Sequence, residues 1–272
     1  MTTTPNAKII CDSISPEGSR LITVQATCHR FILAELNTHR VFSRNSASSR
    51  AIPIQKQMDR VMSDPAFPLE FGTNQKGMQA GEPLAGDDLI EAQMAWEEAS
   101  HAALHYAARL LDLGVHKQVT NRLLEPFMWH TVVITSTEWE GFFHQRCSKF
   151  TSLAQPEIMA VADAIYEAID NSVPEKVGFE EWHLPYVRGI DEDSLDPEDA
   201  PKVSAARCAR VSYLTQEGTR DVNADLELFE RLSTANPPHA SPLEHVATPA
   251  LPLTSPLGNF SGWDQLRHRY FS

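Results

Sequence analysis

Thr38-His39-Arg40-Val41-Phe42-Ser43-Arg44-Asn45-Ser46-Ala47-Ser48-Ser49-Arg50 is the stretch on which the expected fold and function turn, with three arginines, one histidine and four serines in 13 residues. A guanidinium presents a planar fork of donors that matches phosphate or carboxylate, and serine hydroxyls and loop N–H groups add donors at short range. The surroundings are basic too. Between Arg30 and Arg60, six bases (Arg30, Arg40, Arg44, Arg50, Lys56, Arg60) face two acids (Glu35, Asp59), a local charge of +4. The whole chain is the opposite: 272 residues, 23 Lys plus Arg against 36 Asp plus Glu, net −13. An acidic protein with one basic island suits a small anionic ligand. Broad nucleic-acid binding needs a basic footprint that this chain lacks. The competing reading of the island is a solvated loop whose arginines pair with acidic surface.

Upstream, Arg20–Ala26 is rich in β-branched residues and reads as a strand running into a helix over about 29–37. If that helix ends near Thr38, Arg40 and the loop behind it can line an anion pocket. Downstream, 63–86 is broken by Pro65, Pro68 and Pro83 and reads as a loop. Asp87 and Asp88 are read as caps of a long helix to Leu113, stopped at Gly114, roughly 40 Å long. A shorter helix is expected from His116 to Leu124, ending before Pro126. Thr131–Thr135 reads as a buried strand. Thr137-Glu138-Trp139-Glu140 is a capping-box pattern, and Pro156 at a first helical position opens a helix with Ile158, Val161, Ala162, Ile165 and Ile169 on one face. The acidic stretch 187–200 reads as a connector. Helices follow over about 202–211 and 221–234, then a proline-rich tail from Pro237. Helices dominate and strands are few, which gives an α/β or α+β class with a small sheet.

The apolar fraction of 42% and charged fraction of 22% are ordinary for a globular protein. No apolar run approaches a membrane span, and Met1–Pro5 lacks the features of a signal peptide. Cys11, Cys28, Cys147 and Cys208 form neither a CxxC pair nor a dense framework, so a reduced, cytoplasmic protein is expected.

The island resembles the signature of the flavin-dependent thymidylate synthases, Arg-His-Arg followed after seven residues by Ser. His39, Arg40, Asn45, Ser48 and Arg50 match, while Thr38 stands where the first Arg is usual and Ser46 where a Glu is usual. Gly114-Val115 with Arg122 and Pro126 is similar to the family's phosphate-binding stretch. Phe142-Phe143-His144-Gln145-Arg146 before Ala154-Gln155-Pro156-Glu157 is similar to its apolar helix ending in a pyrimidine-contacting Arg. Ala209-Arg210-Val211-Ser212 and Ser241-Pro242-Leu243-Glu244-His245 resemble two further family motifs. In the family these two precede the island, whereas here they follow it by about 160 residues and more. The resemblance therefore implies a single domain over 1–272 in circularly permuted order, a change that domains with neighbouring termini tolerate.

What the resemblance implies is specific. The fold would be helix-rich around a small, mainly antiparallel sheet. The reaction would be methylation of dUMP to dTMP, with methylenetetrahydrofolate as carbon donor and NADPH-reduced FAD as hydride source. No cysteine nucleophile is needed. Ser48, Ser49, Arg50 and Arg122 would hold the monophosphate. Arg146 would act on the uracil as the catalytic residue, with Lys149 its competitor. His39, Arg40, Ser43, Asn45 and His245 would contact FAD. A homotetramer with active sites between subunits is implied, as are neither nucleic-acid nor membrane partners. Gly141 stands where Asn is common, and Glu35 where Gln is usual, which leaves dCMP or hydroxymethylation as alternatives.

Two other motifs compete. Arg267-His268-Arg269 is followed by too little chain for the serine that the signature requires. Glu98, His101 and His105 fall at helical spacing, but di-iron bundles need a second such motif and more carboxylates, so no metal is expected. A non-catalytic nucleic-acid binder is the third reading, disfavoured by charge and by few aromatics near the island.

Overall fold

The structure is a computed structural model, and the residues described are 3–187, 195–213, 221–250 and 258–271. Most of the acidic connector lies outside them. β1 (Asn6–Ile14) and β2 (Arg20–His29) form an antiparallel hairpin turned at Gly18, whose φ is +84°. β2 pairs antiparallel with β4 (Trp129–Ser136), and β4 with β3 (Ser43–Ser46). β5 (Glu175–Lys176) adds to β1 in parallel, giving the order β3-β4-β2-β1-β5. The sheet is thus small and mainly antiparallel, in a helix-rich α/β domain.

Strand side chains alternate between faces, and both faces of β2 are covered. Ile22, Val24, Ala26 and Cys28 face one way with Val132 and Ile134 of β4. They meet Phe142 and Phe143 of α5 (Glu140–Arg146) and Ile158, Val161, Ala162 and Ile165 of α6 (Pro156–Asp170). Full burial of each such aliphatic side chain is worth about 1.5–3 kcal/mol. On the opposite face, Leu21 packs with Val177, Phe260 and Trp263. That side is closed by α7 (Ala200–Arg210), α8 (Val222–Ser233), and the strands β6 (Ala247–Pro249) and β7 (Trp263–Gln265). At the β3 end, α2 (Ile54–Ser63) and α3 (Gly86–Asp112) pack around Leu124, Phe127 and Met128.

The sequence expectations and the structure differ in physical detail. The helix expected over 29–37 is a 3-10 turn, Arg30–Ile32, and one helical turn, α1 (Leu33–Leu36). Asp87 and Asp88 lie in the first turn of α3 rather than capping it, where their charge favours the helix N-terminus. The helix expected to end before Pro126 is α4 (Lys117–Thr120) followed by a 3-10 turn over Asn121–Phe127 that runs through Pro126. The capping box at Thr137 does not form: α5 begins at Glu140, and Ser136 instead takes the Glu138 N–H at 2.9 Å. The expected proline-rich tail contains β6, β7 and a last helical turn, α9 (Arg267–Tyr270).

Candidate active site

β3 is a polar edge strand, and its alternation sorts the island. Ser43 and Asn45 point inward. Ser43 Oγ accepts from Gln265 Nε2 at 3.1 Å. Asn45 Oδ1 accepts from Ser241 Oγ at 2.8 Å, and Asn45 Nδ2 donates to the Cys208 carbonyl at 3.2 Å. Both C-terminal motif segments therefore sit against the island. After β3 the chain turns, the Ser48 N–H donating to the Ser212 carbonyl at 3.1 Å.

The outward side of the turn forms a cleft of about 320 Å³ whose walls include Arg30, Arg44, Ser48, Ser49, Arg50 and Arg122. The 117–127 segment is clamped against it. Lys117 Nζ donates to the Ala51 carbonyl at 2.8 Å, and the buried Asn121 Nδ2 donates to the carbonyls of Ser49 at 2.5 Å and Ile52 at 2.9 Å. That clamp carries Arg122 to the serines. Arg30 Nη1 lies 3.2 Å from His130 Nδ1. Burial, with help from Arg30, pushes His130 down to about 3, so its ring is an uncharged acceptor. Glu125 Oε1 accepts from Arg30, Ser49 and Arg122.

Beside the cleft lies a second cluster. Arg44 Nη1 donates to the Leu36 carbonyl at 3.0 Å, on the segment that carries Glu35 and His39. Arg146, at the end of α5, donates from Nε to His39 Nε2 at 3.4 Å. The His39 ring stands edge-on to Phe142, 4.9 Å between centroids. Burial, then Arg146 and Arg44, lower His39 to about 4, so it is neutral near pH 7. Glu35 Oε2 is buried without a hydrogen-bond partner, and burial raises its carboxyl against the pull of Arg146. Lys149 turns elsewhere: its Nζ donates to Tyr166 Oη at 2.7 Å and lies 4.4 Å over that ring.

The structure thus gathers Ser48, Ser49, Arg50 and Arg122 in one cleft, with His39 and Arg146 adjoining. Arg40 is exposed. Ser43, Asn45 and His245 are buried and engaged within the protein. His245 Nδ1 lies 2.7 Å from Thr135 Oγ1, in a buried chain continuing through Thr23 to His183 and Ser13. Burial drives His245 down to about 3. Arg30 and Arg44 were counted in the basic island and Ser212 in a motif, but none of them was expected at the site, and Glu125 was not singled out at all. Arg44 lay inside the island, and the Arg122–Glu125 spacing of three residues is the signal that could have found Glu125. The C-terminal Arg-His-Arg is used structurally: Arg267 pairs with Glu244, His268 meets Asp264 at 2.7 Å, and Arg269 lies 4.4 Å over Trp182. Glu98, His101 and His105 are exposed on α3. No disulfide joins the four cysteines, and burial raises Cys28 to about 12, which keeps that thiol protonated and unreactive. No helix among the described residues is long and apolar enough to cross a membrane.

The family model described as thymidylate synthase complementing protein matches residues 19–175, more than half of the chain. Two solved structures of a UMP/dUMP methylase, PolB from Streptomyces cacaoi, are similar to it. The form bound with 5-Br dUMP has 15% identity and a TM-score of 0.47, over 62% of this chain and 91% of that one. The form bound with 5-Br UMP has 16% identity and a TM-score of 0.49, over 61% and 89%. No curated protein matches.

Proposed function

Since the chain belongs to the thymidylate synthase complementing protein family, we propose that it methylates dUMP to dTMP, with methylenetetrahydrofolate as carbon donor. FAD, reduced by NADPH, would supply the hydride. The observation that carries this reading is the convergence of Ser48, Ser49, Arg50 and Arg122 in one cleft, next to Arg146 and His39.

The roles follow from charge. The serines and arginines hold the monophosphate through charge-assisted hydrogen bonds. Arg146 stabilises negative charge on the N3/O2 side of the uracil, which makes C5 the carbon nucleophile. Neutral His39 accepts from Arg146 and fixes its direction. For a flavin, the half-buried His39 and the exposed Arg40 suit a ring edge and an anionic pyrophosphate. Ser43, Asn45 and His245 are committed inside the protein, so their part is to hold β3 in place. With these placements the 1–272 chain acts as one permuted domain: the motif segments around 209 and 241 dock on β3 despite their late position in sequence.

The same reading includes a homotetramer in the cytoplasm, where cysteines stay out of disulfides, as all four do here. Its support is α3, on which Ile90, Met94, Leu104 and Leu111 share a heptad register while Ile90, Met94 and Leu111 remain exposed. Asp87, Asp88, Glu91, Glu97 and Glu98 crowd its first half, whereas Arg109 and Asp112 cancel in its second, so antiparallel pairing with a second copy keeps the two acidic ends apart.

One observation favours dCMP as an alternative substrate. The unpartnered Glu35 Oε2 beside Arg146 can accept from an exocyclic amino group. One titration tests both. Purified protein is titrated with FAD, then with dUMP or dCMP, and the flavin absorbance followed. A flavin spectrum perturbed by dUMP is the expected result. Perturbation by dCMP alone selects the alternative, and absence of flavin binding overturns both.

A further inference from the structure

We propose that a second cavity, between α2 and the sheet, binds a neutral lactam heterocycle of the uracil or thymine type through Gln57 and Trp129. This site is independent of the reaction proposed above. The cavity measures about 330 Å³, at the small end of ligand sites, and shares no lining residue with the anion cleft. Its sheet side is formed at Thr27 of β2 and Thr131 of β4, which are partners across the ladder, and its helix side at Gln57 and Val61 of α2.

Two buried polar atoms of its lining residues lack a hydrogen-bond partner, Gln57 Oε1 and Trp129 Nε1. One is an acceptor and the other a donor, yet they do not meet. Both side chains are held. Gln57 is 1% exposed, and its Nε2 donates to Met128 Sδ at 3.2 Å, which turns Oε1 the other way. The Trp129 ring packs 4.4 Å from that of His29, its partner on β2. Buried polar groups in a folded chain are normally paired, so an unpaired donor and acceptor on one cavity point to a ligand that serves both. A single bridging water occupies about 30 Å³, a small part of the space. A lactam edge carries a carbonyl beside an N–H. The carbonyl accepts from Trp129 and the N–H donates to Gln57, where both protein atoms are shielded from competing water. The rings of Trp129 and Phe127 give a planar ligand aromatic walls. Arg60 and Asp64 line the cavity with opposite charges, and the Asp64 carboxylate also accepts the Thr3 N–H at 3.1 Å, so the site calls for no charge on the ligand.

The test is calorimetric titration of the full chain with thymidine and with N3-methylthymidine, which lacks the lactam N–H. Thymidine should bind at least about tenfold more tightly, because the methylated form leaves Gln57 Oε1 unpaired. Gln57→Leu should weaken thymidine about tenfold and erase that ratio. Trp129→Phe keeps a ring without the donor, and should weaken both nucleosides about tenfold while preserving the ratio. Arg146→Ala alters the neighbourhood of the anion cleft and should change neither affinity. Absence of thymidine binding by wild type overturns the proposal, as does equal binding of the two nucleosides. Binding that Arg146→Ala abolishes and Gln57→Leu spares places the nucleoside at the cleft instead, and overturns it too. If circular dichroism shows that Gln57→Leu does not fold, Trp129→Phe carries the test, and an unchanged thymidine affinity in that variant overturns the proposal.

Discussion

Arg146 and Lys149 lie three residues apart and end in different surroundings. Arg146 stays at the end of α5, held against His39, whereas Lys149 is drawn onto Tyr166 beside α5 and α6. Only the arginine adjoins the cleft, and only it presents a planar fork to an in-plane acceptor pair. Arg146→Ala should lower dTMP formation by about 10²–10³-fold, the cost typical of removing one group aimed at developing charge. Flavin content, read from absorbance, should stay unchanged. Lys149→Ala should remain within about twofold of wild type, because it loses only an exposed contact of small worth. Loss of turnover in Lys149→Ala with activity kept in Arg146→Ala would exchange the two roles.

Among elements, those with a local signal were the legible ones. α6 begins at Pro156 and buries Ile158, Val161, Ala162 and Ile165, because a proline at the first helical position and an apolar face both act within a few residues. α8 likewise opens on Asp221, whose carboxylate accepts the N–H groups of Asn223 and Ala224. The end of α3 was equally readable. Gly114, at φ +73°, donates to the Leu111 carbonyl and Val115 to that of Leu110, the paired bonds of a Schellman cap. A Cβ at Gly114 would meet nothing within 4 Å, so the cost of Gly114→Ala is conformational alone. About 1 kcal/mol of stability should be lost, read as a lower denaturant midpoint. A loss of several kcal/mol would mean that the turn also positions Lys117 and Arg122. β3 and β1 had no such signal. β3 is Ser-Arg-Asn-Ser, polar on both sides because its inward residues meet hydrogen-bond partners rather than apolar side chains. β1 buries Asp12 against Arg20 and carries a register shift between Ile9 and Cys11, which blurs its alternation.

At the scale of the whole molecule, the site is assembled from segments that no periodicity connects. Ser48 is fixed by Ser212, Asn45 by Cys208 and Ser241, and Ser43 by Gln265. Motif resemblance pointed to the segments of Cys208, Ser212 and Ser241 but not to Gln265; hydrophobic patterning could reach none of them, since the linking contacts are polar and separated by 160 residues or more. The same polar assembly makes the fold sensitive to acid. His130 and His245 are buried and lie near 3 in the folded protein, against an ordinary 6.5. Between these values the unfolded chain binds protons that the folded chain refuses, so stability falls as pH drops from about 6.5 towards 3 and is fully present above about 7. Each such histidine contributes a slope of about 1.4 kcal/mol per pH unit. The urea midpoint of wild type should therefore be level between pH 7 and 8 and decline between pH 6 and 5, with two or more protons taken up on unfolding. His245→Asn should be less stable at pH 8, because the contact with Thr135 is weakened. Its decline between pH 6 and 5 should nevertheless be shallower by about one proton. A variant with the wild-type slope would show that His245 does not remain buried and uncharged, and would remove it from the polar core that supports β3 from behind.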